Sequence, residues 1–146
     1  MSKSKILIVN GPNLNLLGKR EPEIYGRKTL GEILAEVRAM FPGMQIEDFQ
    51  SNSEGELITA IQRAGFDADM LGIVFNPGAY SHYSIALLDA VSAIPAPVVE
   101  VHISNIHSRD EFRHKLLTAQ GALAVIAGCG PLGYSLAVEF LLSLRS

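Results

Sequence analysis

The chain has 146 residues, 48% hydrophobic and 18% charged, with a net charge of -3 and a mean hydropathy of +0.23. That length fits one domain spanning 1–146, and the low charged fraction with abundant Ile, Leu, Val and Ala excludes a disordered chain. A single cysteine excludes a disulfide framework or a multi-cysteine zinc site, and an acidic balance without a basic run gives no electrostatic basis for binding nucleic acid.

Lys5–Asn10 (KILIVN) is a continuous apolar run halted by Gly11-Pro12, the pattern of a strand buried on both faces. A polar loop punctuated by Gly and Pro runs to Lys28. Thr29 to Met40 reads as a helix, because Thr29 and Glu32 form a capping box and Ile33, Leu34, Val37 and Phe41 keep helical spacing. Gln45 to Gln50 is a weaker strand suited to an edge, and Ser53 with Glu56 opens a second capped helix that reaches about Ala64 before Gly65. Met70 to Phe75 is a third strand, Ser84 to Ala93 a third helix, Pro97 to His102 a fourth strand and Leu123 to Ala127 a fifth. Leu132 to Leu144 forms the last helix. Five apolar strands alternating with helices predict an α/β fold, an open parallel sheet covered on both faces, with a flavodoxin-like strand order favoured by the strand count.

No apolar run approaches the ~18 residues that cross a bilayer, and Ile6–Val9 is too short for a signal-peptide core. A cytoplasmic location away from membranes is expected. The positive mean hydropathy, in a chain that buries only ~70% of its unfolded surface, predicts self-association.

In such sheets ligands bind beyond the carboxyl ends of the strands. Those positions hold Asn10–Asn13, Asn76–His82 and His102–Ser104, a convergence of amide, imidazole and hydroxyl groups. Glu100 and His102, two apart on a buried strand, share a face, where the carboxylate can orient the imidazole as a general acid or simply satisfy it as a structural pair. Arg109 and Arg113 at i and i+4 suit an anion, or pairing with Asp110, Glu111 or another subunit. The long segment 14–28, with Pro22 stiffening it, reads as a lid without secondary structure. Its Tyr25 can act as a base only if a cation such as Arg20 favours the phenolate; otherwise it packs or donates a hydrogen bond. Gly128-Cys129-Gly130-Pro131-Leu132-Gly133 matches a dinucleotide fingerprint but leaves only 13 residues after Gly133, too few for the following strand, so these are turn and packing glycines. Cys129 is expected to be a small buried residue, and His107 and His114 lack metal partners at ligand spacing.

Taken together, Asn10 to Gly18, Arg20-Glu21-Pro22 with Tyr25-Gly26, Ser51-Asn52 with Glu54-Gly55, Asn76 to His82, and Glu100 to Asn105 with Arg109 and Phe112-Arg113 resemble the type II 3-dehydroquinate dehydratases. The resemblance implies a flavodoxin-like three-layer sandwich and a cofactor- and metal-free hydro-lyase of the shikimate pathway. It would convert 3-dehydroquinate into 3-dehydroshikimate by anti elimination through an enol or enolate. It assigns Tyr25, helped by Arg20, to proton removal; Asn13 to holding a water at the developing enolate; and His102, oriented by Glu100, to protonation of the departing hydroxyl. Asn76, His82 and Arg113 would bind substrate hydroxyls, the backbone at Ile103 and Ser104 the carboxylate, while Arg109 is similar to a lid-associated arginine. Asp89 resembles an acid that reaches a neighbouring subunit's site in a dodecamer of trimers. Ser53, Leu88 and Lys115-Leu116-Leu117 depart from the family pattern. The rival reading is a flavodoxin-like module that binds a nucleotide or anion without catalysis.

Overall fold

A computed structural model describes residues 3–145. Strands β1 (Lys5–Asn10), β2 (Gln45–Gln50), β3 (Met70–Asn76), β4 (Val98–His102) and β5 (Ala124–Ala127) form one parallel sheet in the order β2-β1-β3-β4-β5. This is the flavodoxin-like order, and its switch point lies between β1 and β3. Helices α1 (Pro22–Tyr25), α2 (Leu30–Met40), α3 (Glu54–Gly65), α4 (Ile85–Ala93) and α5 (Leu132–Ser143) complete the α/β architecture.

The sheet has an apolar layer on each side, which is why its inner strands read as unbroken apolar runs. Ile6 and Ile8 of β1, Val74 of β3 and Val99 and Val101 of β4 pack with α2 and α5 through Ile33, Val37, Tyr134 and Leu141. Leu7, Val9, Ile73, Phe75 and Val98 point the other way, toward Leu57 and Ile61 of α3 and Leu87 and Val91 of α4. The two outer strands are more open: β2 buries only Ile46 and β5 alternates between half-buried and exposed residues, which explains the weak apolar signal of Gln45–Gln50.

Thr29 and Glu32 form the predicted reciprocal capping box at α2. Ser53 and Ser84 cap α3 and α4 through bonds from the amides of Glu56 and Leu87, each such cap contributing about 1 kcal/mol. The Glu56 side chain, however, accepts from Ser51 rather than closing a second box.

At the switch point the β1 and β3 exits cross closely. The Gly11 amide donates to the Asn76 carbonyl at 2.8 Å, and a Cβ on Gly11 would stand 2.4 Å from the Pro77 carbonyl oxygen. Only glycine permits that approach, which draws the first and third strand ends into one site.

Two expectations are corrected. Segment 14–28 is not devoid of secondary structure: a 3-10 turn spans Leu14–Leu16 and α1 starts at Pro22, whose preset φ suits a first helical position. Leu14, Leu17 and Tyr25 sink from this segment into the α2/α5 core layer. Cys129 is exposed, not buried: it sits on the turn after β5 between Gly128 (φ 88°) and Gly130 (φ 62°), whose amides donate to the His102 and Ile103 carbonyls. Among the described residues no helix is long and apolar enough to cross a membrane. Phe66 (67%), Tyr83 (62%), Ile85 (64%) and Phe112 (65%) are exposed apolar side chains, the local expression of the positive mean hydropathy.

Candidate active site

The carboxyl ends of β1, β3 and β4 open into a cavity of about 190 Å³. Asn13, Arg20, Tyr25, Asn76, His82, His102, Ile103, Ser104, Arg109 and Arg113 all line it. Residues spread over 100 positions of sequence are thus gathered by strand order, as the strand-end argument anticipates. Glu100 stands behind His102, and Asp89 lies outside the cavity, exposed on α4. A larger cavity of about 620 Å³ lies against β1, β2 and α3, lined by Leu7, Phe49 and Met70 with the Lys5–Asp67 ion pair at its side. It contains none of the strand-end residues, whereas a third cavity, of about 870 Å³, adjoins the strand-end site at Ile103, Ser104, Arg109 and Arg113.

Tyr25 enters from the C-terminal end of α1 and is 8% exposed. Its hydroxyl accepts a 2.7 Å hydrogen bond from Arg109 Nη1, while the Arg20 guanidinium lies over the ring face, 4.8 Å from the centroid. Two cations therefore surround one phenol. Arg20 is the neighbour visible in the loop sequence, yet the cation that touches the oxygen is Arg109, 84 residues away. Arg109 and Arg113 do not share a helix: a 3-10 turn at Ile106–Ser108 ends before Arg109, and a second at Glu111–Arg113 begins after Asp110. Among the described residues neither arginine is ion-paired with Asp110 or Glu111, and both guanidinium-bearing residues turn into the cavity.

Glu100 and His102 are 1% and 7% exposed, and Glu100 Oε2 lies 2.7 Å from His102 Nε2. A carboxylate accepts only, so Nε2 carries the proton and Nδ1 is left for the cavity. The second carboxylate oxygen accepts from Thr118 Oγ1 at 2.5 Å. His82 Nδ1 donates to the Lys115 carbonyl at 2.9 Å, leaving Nε2 as an acceptor. Burial pushes His82 below the ordinary imidazole value, the Lys115 carbonyl opposes this, and His102 and Arg113 add to the depression.

A second polar group was not legible in the sequence. Tyr134 of α5, wholly buried, donates to Asn10 Oδ1 at 2.5 Å and accepts from Asn76 Nδ2 at 2.9 Å. Asn76 Oδ1 in turn accepts from the Gly78 amide at 3.1 Å, so the Asn76 side chain is held at both ends. Burial raises the Tyr134 phenol well above its ordinary range, outweighing the Asn76 bond, and keeps it neutral. The available signal was a large aromatic with a polar tip on a helix otherwise apolar, which commonly finds a buried partner.

The glycine-rich turn serves packing. A Cβ on Gly128 would meet Asn105 at 3.2 Å, and one on Gly133 would meet Val101 at 3.2 Å. Among the described residues no three His, Cys, Asp or Glu side chains gather as a metal-holding group; His107 and His114 face each other with ring centroids 5.6 Å apart.

Residues 4–142 match the family model for class II dehydroquinase. The chain belongs to the class II dehydroquinase family. A 3-dehydroquinate dehydratase of Clostridium botulinum is 51% identical over 142 residues, covering 96% of this chain and 95% of the relative. One from Corynebacterium glutamicum is 52% identical over 143 residues, covering 97% of each. The crystal structure of a type II dehydroquinase from Propionibacterium acnes superimposes with a TM-score of 0.91 at 42% identity, covering 98% of both chains. In this class II dehydroquinase Ser53, Leu88 and Lys115 each have a local partner. Ser53 caps α3, Leu88 approaches Gly121 on the turn before β5, and Lys115 supplies the carbonyl that holds His82.

Proposed function

We propose that the cavity at the strand ends is where this class II dehydroquinase, a hydro-lyase, removes water from 3-dehydroquinate to give 3-dehydroshikimate, the dehydration step of the shikimate pathway. The observation that carries this reading is a buried phenol bracketed by two guanidinium groups in the same cavity as a carboxylate-paired imidazole. Elimination of water next to a ketone needs a base for the carbon-bound proton and an acid for the departing hydroxyl. Tyr25 is the base, in its phenolate form. Arg109 and Arg20 supply the positive charge that the phenolate requires, in a site shielded from water. His102 is the acid, delivering a proton from Nδ1 while Glu100 balances the imidazolium charge through Nε2.

Asn13, held in a left-handed backbone conformation (φ 69°) at the exit of β1, holds the water that stabilises the developing enolate oxygen. Asn76, His82 and Arg113 bind the substrate hydroxyls, and the backbone at Ile103 and Ser104 takes the carboxylate. His82, kept neutral by burial, offers Nε2 as an acceptor for one of those hydroxyls. Segment 14–28 works as a lid: it carries both Tyr25 and Arg20, so its closure brings the base and expels water in one movement. Every proton in this scheme moves between side chains of the chain and the substrate, and no cofactor is needed. Asp89, exposed on α4, reaches the site of a neighbouring chain in an assembly of trimers, a dodecamer in the full form.

Purified protein with 3-dehydroquinate, followed by the absorbance of the conjugated enone product, tests the assignment. Wild type turns over, and Tyr25→Phe retains substrate binding while losing most of the rate. Near-normal turnover by a folded Tyr25→Phe removes Tyr25 as the base, and absence of turnover by wild type removes the reading altogether. A purely nucleotide-binding role is disfavoured because two glycines of the turn, Gly128 and Gly133, are packed against Asn105 and Val101.

A further inference from the structure

We propose that Thr118 is a positioning residue for the proton donor, acting on His102 through Glu100. The inference rests on the reading of His102 as the acid. Glu100 stands at 1% exposure, where a carboxyl oxygen left without a hydrogen-bond partner is costly. Oε2 faces His102 Nε2 at 2.7 Å, and the donor on Oε1 is the Thr118 hydroxyl at 2.5 Å. Thr118 is itself wholly buried. With both oxygens held, the carboxylate cannot rotate about its last bond, so the plane of the His102 ring and the direction of Nδ1 follow from where Thr118 sits.

The placement of Thr118 is tied to the rest of the cavity. It opens a 3-10 turn at Thr118–Gly121, and the residue before it, Leu117, donates its amide to the Ser81 carbonyl at 2.7 Å. Two residues further back, the Lys115 carbonyl receives His82 Nδ1. At the other end of the turn, a Cβ on Gly121 would lie 2.7 Å from Ser92 Oγ and 3.1 Å from Val91, so the turn is seated closely on α4. One strap, residues 115–118, therefore sets the orientation of both cavity histidines, His82 by a backbone carbonyl and His102 by a side-chain hydroxyl. A threonine in a turn reads from sequence as ordinary loop chemistry; here its hydroxyl is committed to a buried carboxylate 18 positions upstream.

The experiment compares Thr118→Val, which keeps shape and removes the donor, with Thr118→Ser, which keeps the donor, using 3-dehydroquinate as substrate. Thr118→Val is expected to lower kcat more than fivefold with KM within twofold of wild type, and Thr118→Ser to restore kcat to within twofold. In a His102→Gln background Thr118→Val is expected to add less than a twofold loss, since the group it positions is gone. A structural role alone would move KM and would lower the rate equally in both backgrounds. A folded Thr118→Val with less than a fivefold loss in kcat overturns the proposal, as does a full additional loss in the His102→Gln background. If the valine variant does not fold, Thr118→Cys, a weaker donor of similar size, is read by the same criteria. His102→Gln alone separates the two levels: near-normal turnover removes His102 as the acid, whereas an inactive His102→Gln beside a normal Thr118→Val removes only the role of Thr118.

Discussion

Arg109→Gln is the most direct probe of the charge arrangement around Tyr25. The substitution removes a 2.7 Å bond from a guanidinium to a phenol that is 8% exposed, leaving only Arg20 over the ring face. A hydrogen bond from a charged donor contributes about 1.5–3 kcal/mol. Counted in full against the base, that loss corresponds to roughly ten- to 150-fold in rate. Each remaining phenolate is a stronger base once the cation is gone, and Brønsted behaviour returns about half of the loss on a logarithmic scale. The net fall in kcat is therefore roughly three- to twelvefold, smaller than the bond energy alone suggests. Steady-state turnover of 3-dehydroquinate by wild type and Arg109→Gln, compared under the same conditions, measures that fall. A folded variant with unchanged kcat would refute the assignment of Arg109 as the cation that supports the base.

Three further outcomes are expected. His82 has a folded-state value below its unfolded one, so between the two the unfolded chain binds more protons. Its contribution to stability is present above the ordinary imidazole value and is lost as pH falls through the depressed one. Thermal midpoints of wild type and His82→Gln should accordingly converge as the pH is lowered from 7.5 to about 5, and a gap that widens on acidification would reverse the sign. Gly11→Ala places a Cβ 2.4 Å from the Pro77 carbonyl oxygen, an overlap with backbone that cannot rotate away. Chemical denaturation should show a loss of at least ~1–3 kcal/mol, and turnover should fall with it because the strand exits separate; an unchanged midpoint would contradict the close approach. Sedimentation velocity should show an assembly larger than a monomer, with activity falling in Asp89→Asn if that acid completes a neighbour's site. A fully active monomer at assay concentration would leave Phe66, Tyr83, Ile85 and Phe112 as exposed apolar surface without a partner.

Much of the fold was legible because each element carried its own local signal. β1 and β3 are apolar without interruption since both faces are covered, and α2 announces itself through a capping box that needs only Thr29 and Glu32. The pairing of Glu100 with His102 was equally legible, because the two-residue repeat of a strand puts both on one face whatever the rest of the chain does. Where a side chain faced a choice of partners, local pattern failed. Glu56 had the spacing for a capping box and went to Ser51, and Cys129 had the chemistry of a core residue and lies exposed on a turn between two left-handed glycines.

The amino-acid pattern alone thus determined the class of fold, the strand ends as the candidate site, and most of the residues that line the cavity there. The tertiary structure decided which of them touch. Arg109 rather than Arg20 holds the Tyr25 hydroxyl, Thr118 completes Glu100, and Tyr134 ties Asn10 to Asn76 across 124 and 58 positions of chain. The physical reason is range. Periodicity and capping act within one or two turns of chain and leave a record in neighbouring residues, whereas a hydrogen bond between distant segments depends on sheet order and loop path, which no short window of sequence contains.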